Sequence, residues 1–236
     1  MRMLTVLVAW GLSALAATAA TYDAFATGWL RPAAALPAGI VVDIAPGAFG
    51  TEAFALGDAE AFRDAEQEIA GAEVATGAAA WGSAGPYAGY SIASVRTETF
   101  YDVANLGPAA VTLDFAFEWE IAATATAAPG ELSFALAEAS VFGTDLDPDG
   151  LPLSVPLAGG LLDVDSAGLS SGLTEGALSG TDVFSLFLGA GETAFLNVFV
   201  EATGFAEGVS TIPVPAPALT LLAGLALLTA LRRRAA

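Results

Sequence analysis

The chain has 236 residues, 26 acidic against 7 basic for a net charge of −19, and neither cysteine nor histidine. Those absences exclude disulfide staples, zinc sites built on Cys or His, and Ser-His-Asp or Cys-His nucleophile systems. There is no lysine either, which removes Schiff-base chemistry. All the acidic residues lie between Asp23 and Glu207, where only Arg31, Arg63 and Arg96 oppose them; 26 against 3 leaves that stretch at −23. Phosphate binding needs basic residues to displace counterions, so no nucleic-acid partner is expected. Divalent cations, neutral glycans and basic proteins remain compatible partners, and carboxylate chemistry remains available. The same composition also describes an acidic surface that simply keeps an exported protein soluble.

In chain order, the first element is an export signal. Arg2 supplies a positive start, Met3–Leu15 an apolar run, and Ala17-Thr18-Ala19 a small-residue cleavage site, with Ala20 as an alternative end. A strand is expected over Gly39–Ile44. Residues 57–73 are rich in Ala and Glu, with Asp58 as a cap and Phe62, Ala65, Ile69 and Ala72 on one helical face, which predicts a short helix. Acidic residues also alternate there, so an edge strand is the competing expectation. Trp81 to Tyr90 forms a Gly-rich aromatic loop that could stack on sugar rings or pack on itself.

The clearest strand is Val111–Ile121. Val111, Leu113, Phe115, Phe117, Trp119 and Ile121 point one way, and Thr112, Asp114, Ala116, Glu118 and Glu120 the other. Val95–Val103 alternates similarly, and Asn105-Leu106-Gly107-Pro108 makes a turn, so residues 93–121 are expected to form a β-hairpin. Glu118 and Glu120 share a strand face about 7 Å apart at the backbone, a separation glycosidases use; the competing reading is a wet strand face. A strand is expected over Glu131–Phe142. Asp145-Leu-Asp147-Pro-Asp149-Gly150 follows, a run whose carboxylates converge on calcium in tight loops. It is not an EF-hand, because the position of the bidentate glutamate falls on Pro156. Asp163 or Asp165 could complete such a site, and an ordinary acidic turn is the alternative. Residues 159–180 read as a long loop or weak strands. Strands over Asp182–Leu188 and Thr193–Ala202 then flank a Gly189–Glu192 turn.

The last segment is the most specific. Pro213, Pro215 and Pro217 hold an extended stretch. Residues 218–231 form an apolar helix of roughly 21 Å, and Arg232, Arg233 and Arg234 follow it. A span needs about 20 apolar residues, so this helix crosses only by borrowing Pro215–Pro217 or thinning the bilayer. The arginines place the C-terminus in the cytoplasm. This proline-rich motif, helix and arginine cluster resembles the PEP-CTERM class of bacterial sorting signals. Ile212, Pro213, Val214, Pro215 and Ala216 are similar to its VPLPA variant, with changes at the first and third positions. The resemblance covers about residues 211–236. It implies recognition by an exosortase-type membrane enzyme, cleavage near the motif, and transfer to the cell envelope or its exopolysaccharide.

The expected organisation is therefore a signal peptide (1–20), an acidic antiparallel β-sandwich with one short helix (21–210), and a sorting signal with a transmembrane helix (211–236). The expected function is that of an exported, envelope-anchored surface protein with a structural or adhesive role, associated with exopolysaccharide or biofilm and not an enzyme. It passes through an inner-membrane intermediate. A calcium-stabilised or carbohydrate-binding module is the alternative, and a carboxylate glycosidase the third reading. Calcium is the one candidate cofactor.

Overall fold

A computed structural model describes residues 20–47, 50–85, 89–128, 130–146, 152–167 and 174–208, with only the backbone of 145–146 and 152–153. Among them are eleven strands and no helix: β1 (Ala20–Pro32), β2 (Ile40–Pro46), β3 (Gly50–Leu56), β4 (Ala59–Ala70), β5 (Glu73–Ala84), β6 (Tyr90–Asn105), β7 (Val111–Thr126), β8 (Leu132–Leu146), β9 (Pro152–Asp165), β10 (Glu175–Leu188) and β11 (Thr193–Glu207). They form two antiparallel sheets. Sheet A runs β10-β7-β1-β5-β4; sheet B runs β2-β6-β11-β8-β9, with β3 sharing the β2 side of β6. The export signal over 1–20, apart from Ala20, and the sorting signal lie outside the described residues. No helix among the described residues is long and apolar enough to cross a membrane.

Alternation builds the core. Along β1, Tyr22, Ala24, Ala26 and Leu30 are buried between the sheets while Asp23, Phe25 and Trp29 face out. Leu113, Phe115, Phe117 and Ile121 of β7 and Leu196, Val198, Val200 and Ala202 of β11 do the same from the two sides. Hydroxyl pairs join the layers inside: Thr76 Oγ1 lies 2.7 Å from Thr97 Oγ1, and Tyr22 Oη 3.1 Å from Ser91 Oγ. Each gives a buried polar group its partner.

Three expectations are corrected. Residues 59–70 form no helix; they are edge strand β4, paired with β5 from Ala59↔Ala84 to Ala70↔Glu73. Gly71, at φ +64, makes the tight turn between them. Ala and Glu are good helix formers, but hydrogen bonding to β5 and burial of Ala59, Ala61 and Ala65 against the core override that preference. Second, residues 93–121 are no hairpin. β6 pairs with β11, β2 and β3 in sheet B, and β7 with β1 and β10 in sheet A. The turn after Asn105 crosses the sandwich. Asn105 is buried, donating from Nδ2 to the carbonyls of Ala109, Leu188 and Gly189, so it ties this crossing to the β10–β11 crossing. Third, Trp81 and Tyr90 share no loop: Trp81 is on β5 in sheet A and Tyr90 on β6 in sheet B. Within 159–180, residues 159–165 belong to β9 and 175–180 to β10.

Candidate functional site

The outward face of sheet A is where chemistry gathers. Register places its side chains in rows across the strands. One row reads Glu68, Ala75, Trp29, Glu118, Thr181, and the next Glu66, Gly77, Thr27, Glu120, Ser179. Ala75, Gly77 and Thr27 are small, so the middle of these rows sinks into a depression of about 860 Å³. Glu66 and Glu68 stand on one bank and Glu118 and Glu120 on the other, three strand spacings or about 14 Å apart at the backbone. Trp29 stands within it. Arg31 lies with its guanidinium 4.7 Å from the centre of the Trp29 ring and donates to Glu118 Oε1 at 2.6 Å, which steadies the indole.

Further along the same face, Phe62 and Trp81 stack at 5.9 Å with 15° between their planes. They line a second hollow with Asp23, Glu60 and Thr124. Phe25 lies between the two hollows on β1. Phe25, Trp29, Phe62 and Trp81 are 38%, 37%, 46% and 39% exposed. From the Asp23 row to the Trp29 row is six residues of β1, about 20 Å. The result is a strip of four aromatic rings interleaved with carboxylates and hydroxyls.

The fold distributes the other sequence candidates differently. Glu118 and Glu120 face outward from β7, but Glu118 is already engaged by Arg31. The nearest carboxylates across the depression are those of β4. Asp145 belongs to β8 opposite Leu153, while Asp147 and Asp149 lie outside the described residues. Asp163 and Asp165 are engaged within the fold, Asp165 Oδ1 accepting from the Ala167 amide at 2.9 Å. Among the described residues, no three acidic side chains are grouped to hold a metal ion. Ile212–Ala216 and Arg232–Arg234 lie outside the described residues. Phe25 and Trp29 were not singled out from the sequence, and Phe62 was expected on the apolar face of a helix rather than on this surface. A signal was present: Asp23, Phe25, Thr27, Trp29 and Arg31 alternate with Tyr22, Ala24, Ala26, Gly28 and Leu30, so two aromatics share the charged side.

No protein-family model matches the chain, and no curated protein matches its sequence.

Proposed function

We propose that this is an exported, envelope-displayed β-sandwich with an adhesive role, which grips a neutral glycan of the surrounding exopolysaccharide on the outer face of sheet A. One observation carries the reading: four partly exposed aromatic rings share a solvent-facing sheet surface with carboxylates on either bank. An acidic protein has no need of such rings for solubility, and aromatic surface left exposed beside polar groups marks a contact site. Ring faces suit the C–H faces of sugars, while carboxylates and the hydroxyls of Thr27, Ser179 and Thr181 suit sugar hydroxyls. The same carboxylates repel polyanions, which selects neutral chains. The face is read as binding rather than hydrolytic, because Glu118 is occupied by Arg31 and the opposite bank is about 14 Å away. The terminal signals support the location: export through residues 1–20, then recognition of Ile212–Ala216 by an exosortase-type enzyme while residues 218–231 hold the membrane.

The test is a binding isotherm of the protein with neutral exopolysaccharide fragments. Trp29→Ala is expected to weaken binding about tenfold, or about 1.4 kcal/mol. The melting temperature should stay close to that of the parent, since Trp29 is outside the core. Unchanged affinity in a Trp29→Ala, Trp81→Ala double variant refutes the reading.

A further inference from the structure

We infer that β10 is a self-pairing edge, onto which a second copy of this chain docks its own β10 antiparallel, joining two five-stranded sheets into one of ten strands. The argument starts from the exposed sheet edges, each of which presents unpaired backbone N–H and C=O groups. Sheet A ends on β4 and β10, and sheet B on β9 and on the β2 and β3 segments.

Three of these edges resist a copy of the chain. Edge β4 carries Glu60, Asp64, Glu66 and Glu68, so another acidic strand would meet like charges. Edge β9 contains Pro152 and Pro156, which donate no hydrogen bond, and its register with β8 shifts beside Val141/Phe142. β2 and β3 have seven residues each, and β2 ends on Pro46.

Edge β10 has none of these devices. It runs 14 residues without proline. Its charges are Glu175 and Asp182, and the Asp182 carboxylate is turned inward, accepting from Trp119 Nε1 at 2.8 Å and the Gly159 amide at 3.0 Å. From Val183 to Leu188 there is no charge at all. Val183 and Phe187 project outward, 65% and 68% exposed, while Phe184 anchors the strand from inside by stacking on Phe115 at 5.8 Å.

Charge then identifies the occupant. Copies of a chain at −19 repel over most of their surfaces, so self-contact is favoured where charge is missing and apolar area is exposed. Antiparallel pairing about a two-fold axis at Ser185 meets that condition. It sets Val183 against the partner's Phe187, twice by symmetry, and Asp182 against the partner's Leu188, with no like charges opposite. The four rings lie on β1, β4 and β5; β10 lends the depression beside them Ser179, Gly180 and Thr181, which precede the Val183–Phe187 contact.

The absence of cysteine makes the test clean. Ser185→Cys introduces a single thiol, and a two-fold axis at that residue brings the two Cα atoms to about 4.5–5.5 Å, within disulfide reach. The full chain, purified in detergent, is oxidised mildly and run on a non-reducing gel beside Asp64→Cys on edge β4. A disulfide dimer is expected for Ser185→Cys at a yield at least about tenfold above Asp64→Cys. Adding Val183→Glu and Phe187→Glu, which set glutamates opposite each other, should return the yield to the Asp64→Cys background with the circular dichroism spectrum unchanged. Equal yields at both positions, indifference to the two glutamates in a folded protein, or a cysteine at 185 that stays monomeric because another segment or protein covers it, each overturns the inference. A glycan that binds normally to a non-dimerising variant leaves the aromatic-strip reading standing, so the two fail separately.

Discussion

Tyr101 is the largest fully buried side chain, edge-on to Phe115 at 6.0 Å, and its hydroxyl has no hydrogen-bond partner among the described residues. Burial, with a smaller push from the Glu73 carboxylate, holds its pKa well above the usual tyrosine value. Below pH ~10 the phenol is protonated in both folded and unfolded chains, and the stability it contributes is complete. Above ~10 the unfolded chain ionises while the folded one does not, so stability falls as pH climbs toward the folded value. Tyr22 moves the same way, chiefly through burial. Tyr101→Phe should therefore cost less than about 1 kcal/mol at pH 7, because no hydrogen bond is lost. It should also shrink the loss of stability between pH 9 and 11, leaving the Tyr22 part. Urea midpoints at those pH values check both, and an unaltered alkaline slope in the variant counts against the assignment. At this scale the sequence showed Glu118 on a wet strand face but not its partner Arg31, because the two are brought together only by the pairing of β1 with β7.

Between elements, the informative contact is the Asp182 carboxylate, which joins β7 and β10 of sheet A to β9 of sheet B through Trp119 and Gly159. Asp182→Ala strands an indole N–H and a backbone N–H at once. We expect a loss of about 2 kcal/mol, and a smaller one for Asp182→Asn, whose amide oxygen still accepts. Thermal unfolding measures this, and equal melting temperatures for alanine, asparagine and parent refute the latch. Two misread elements fail for related reasons. Over residues 57–73, period 3.6 and period 2 both find apolar residues, and propensity favours the helix; pairing with β5 decides otherwise. Over 93–121, each strand has one buried and one wetter face whether it pairs with its successor or faces it across the core. Alternation therefore located β6 and β7 correctly and was silent on which sheet each joins.

On the whole-molecule scale, residues 1–20 and 211–236 carry the proposed route. Protein recovered from cells that hold the processing enzyme should have lost mass at both ends, near Ala20 and near Ile212–Ala216; without that enzyme only the N-terminal loss should remain. Intact-mass measurement reads this, and a full-length product in the cytosol contradicts it. By itself the sequence determined the mainly β class, the strands at β2, β6, β7, β8, the second half of β10 and β11, the absence of Cys and His chemistry and the overwhelming negative charge, because these follow from residue type and local period. The tertiary structure alone decided the sheet order, the strand nature of residues 59–70, the crossing at Asn105 and the gathering of Phe25, Trp29, Phe62 and Trp81 on one surface. Those depend on which strands hydrogen-bond side by side. Residues far apart along the chain become neighbours only through that pairing, and no local pattern encodes it.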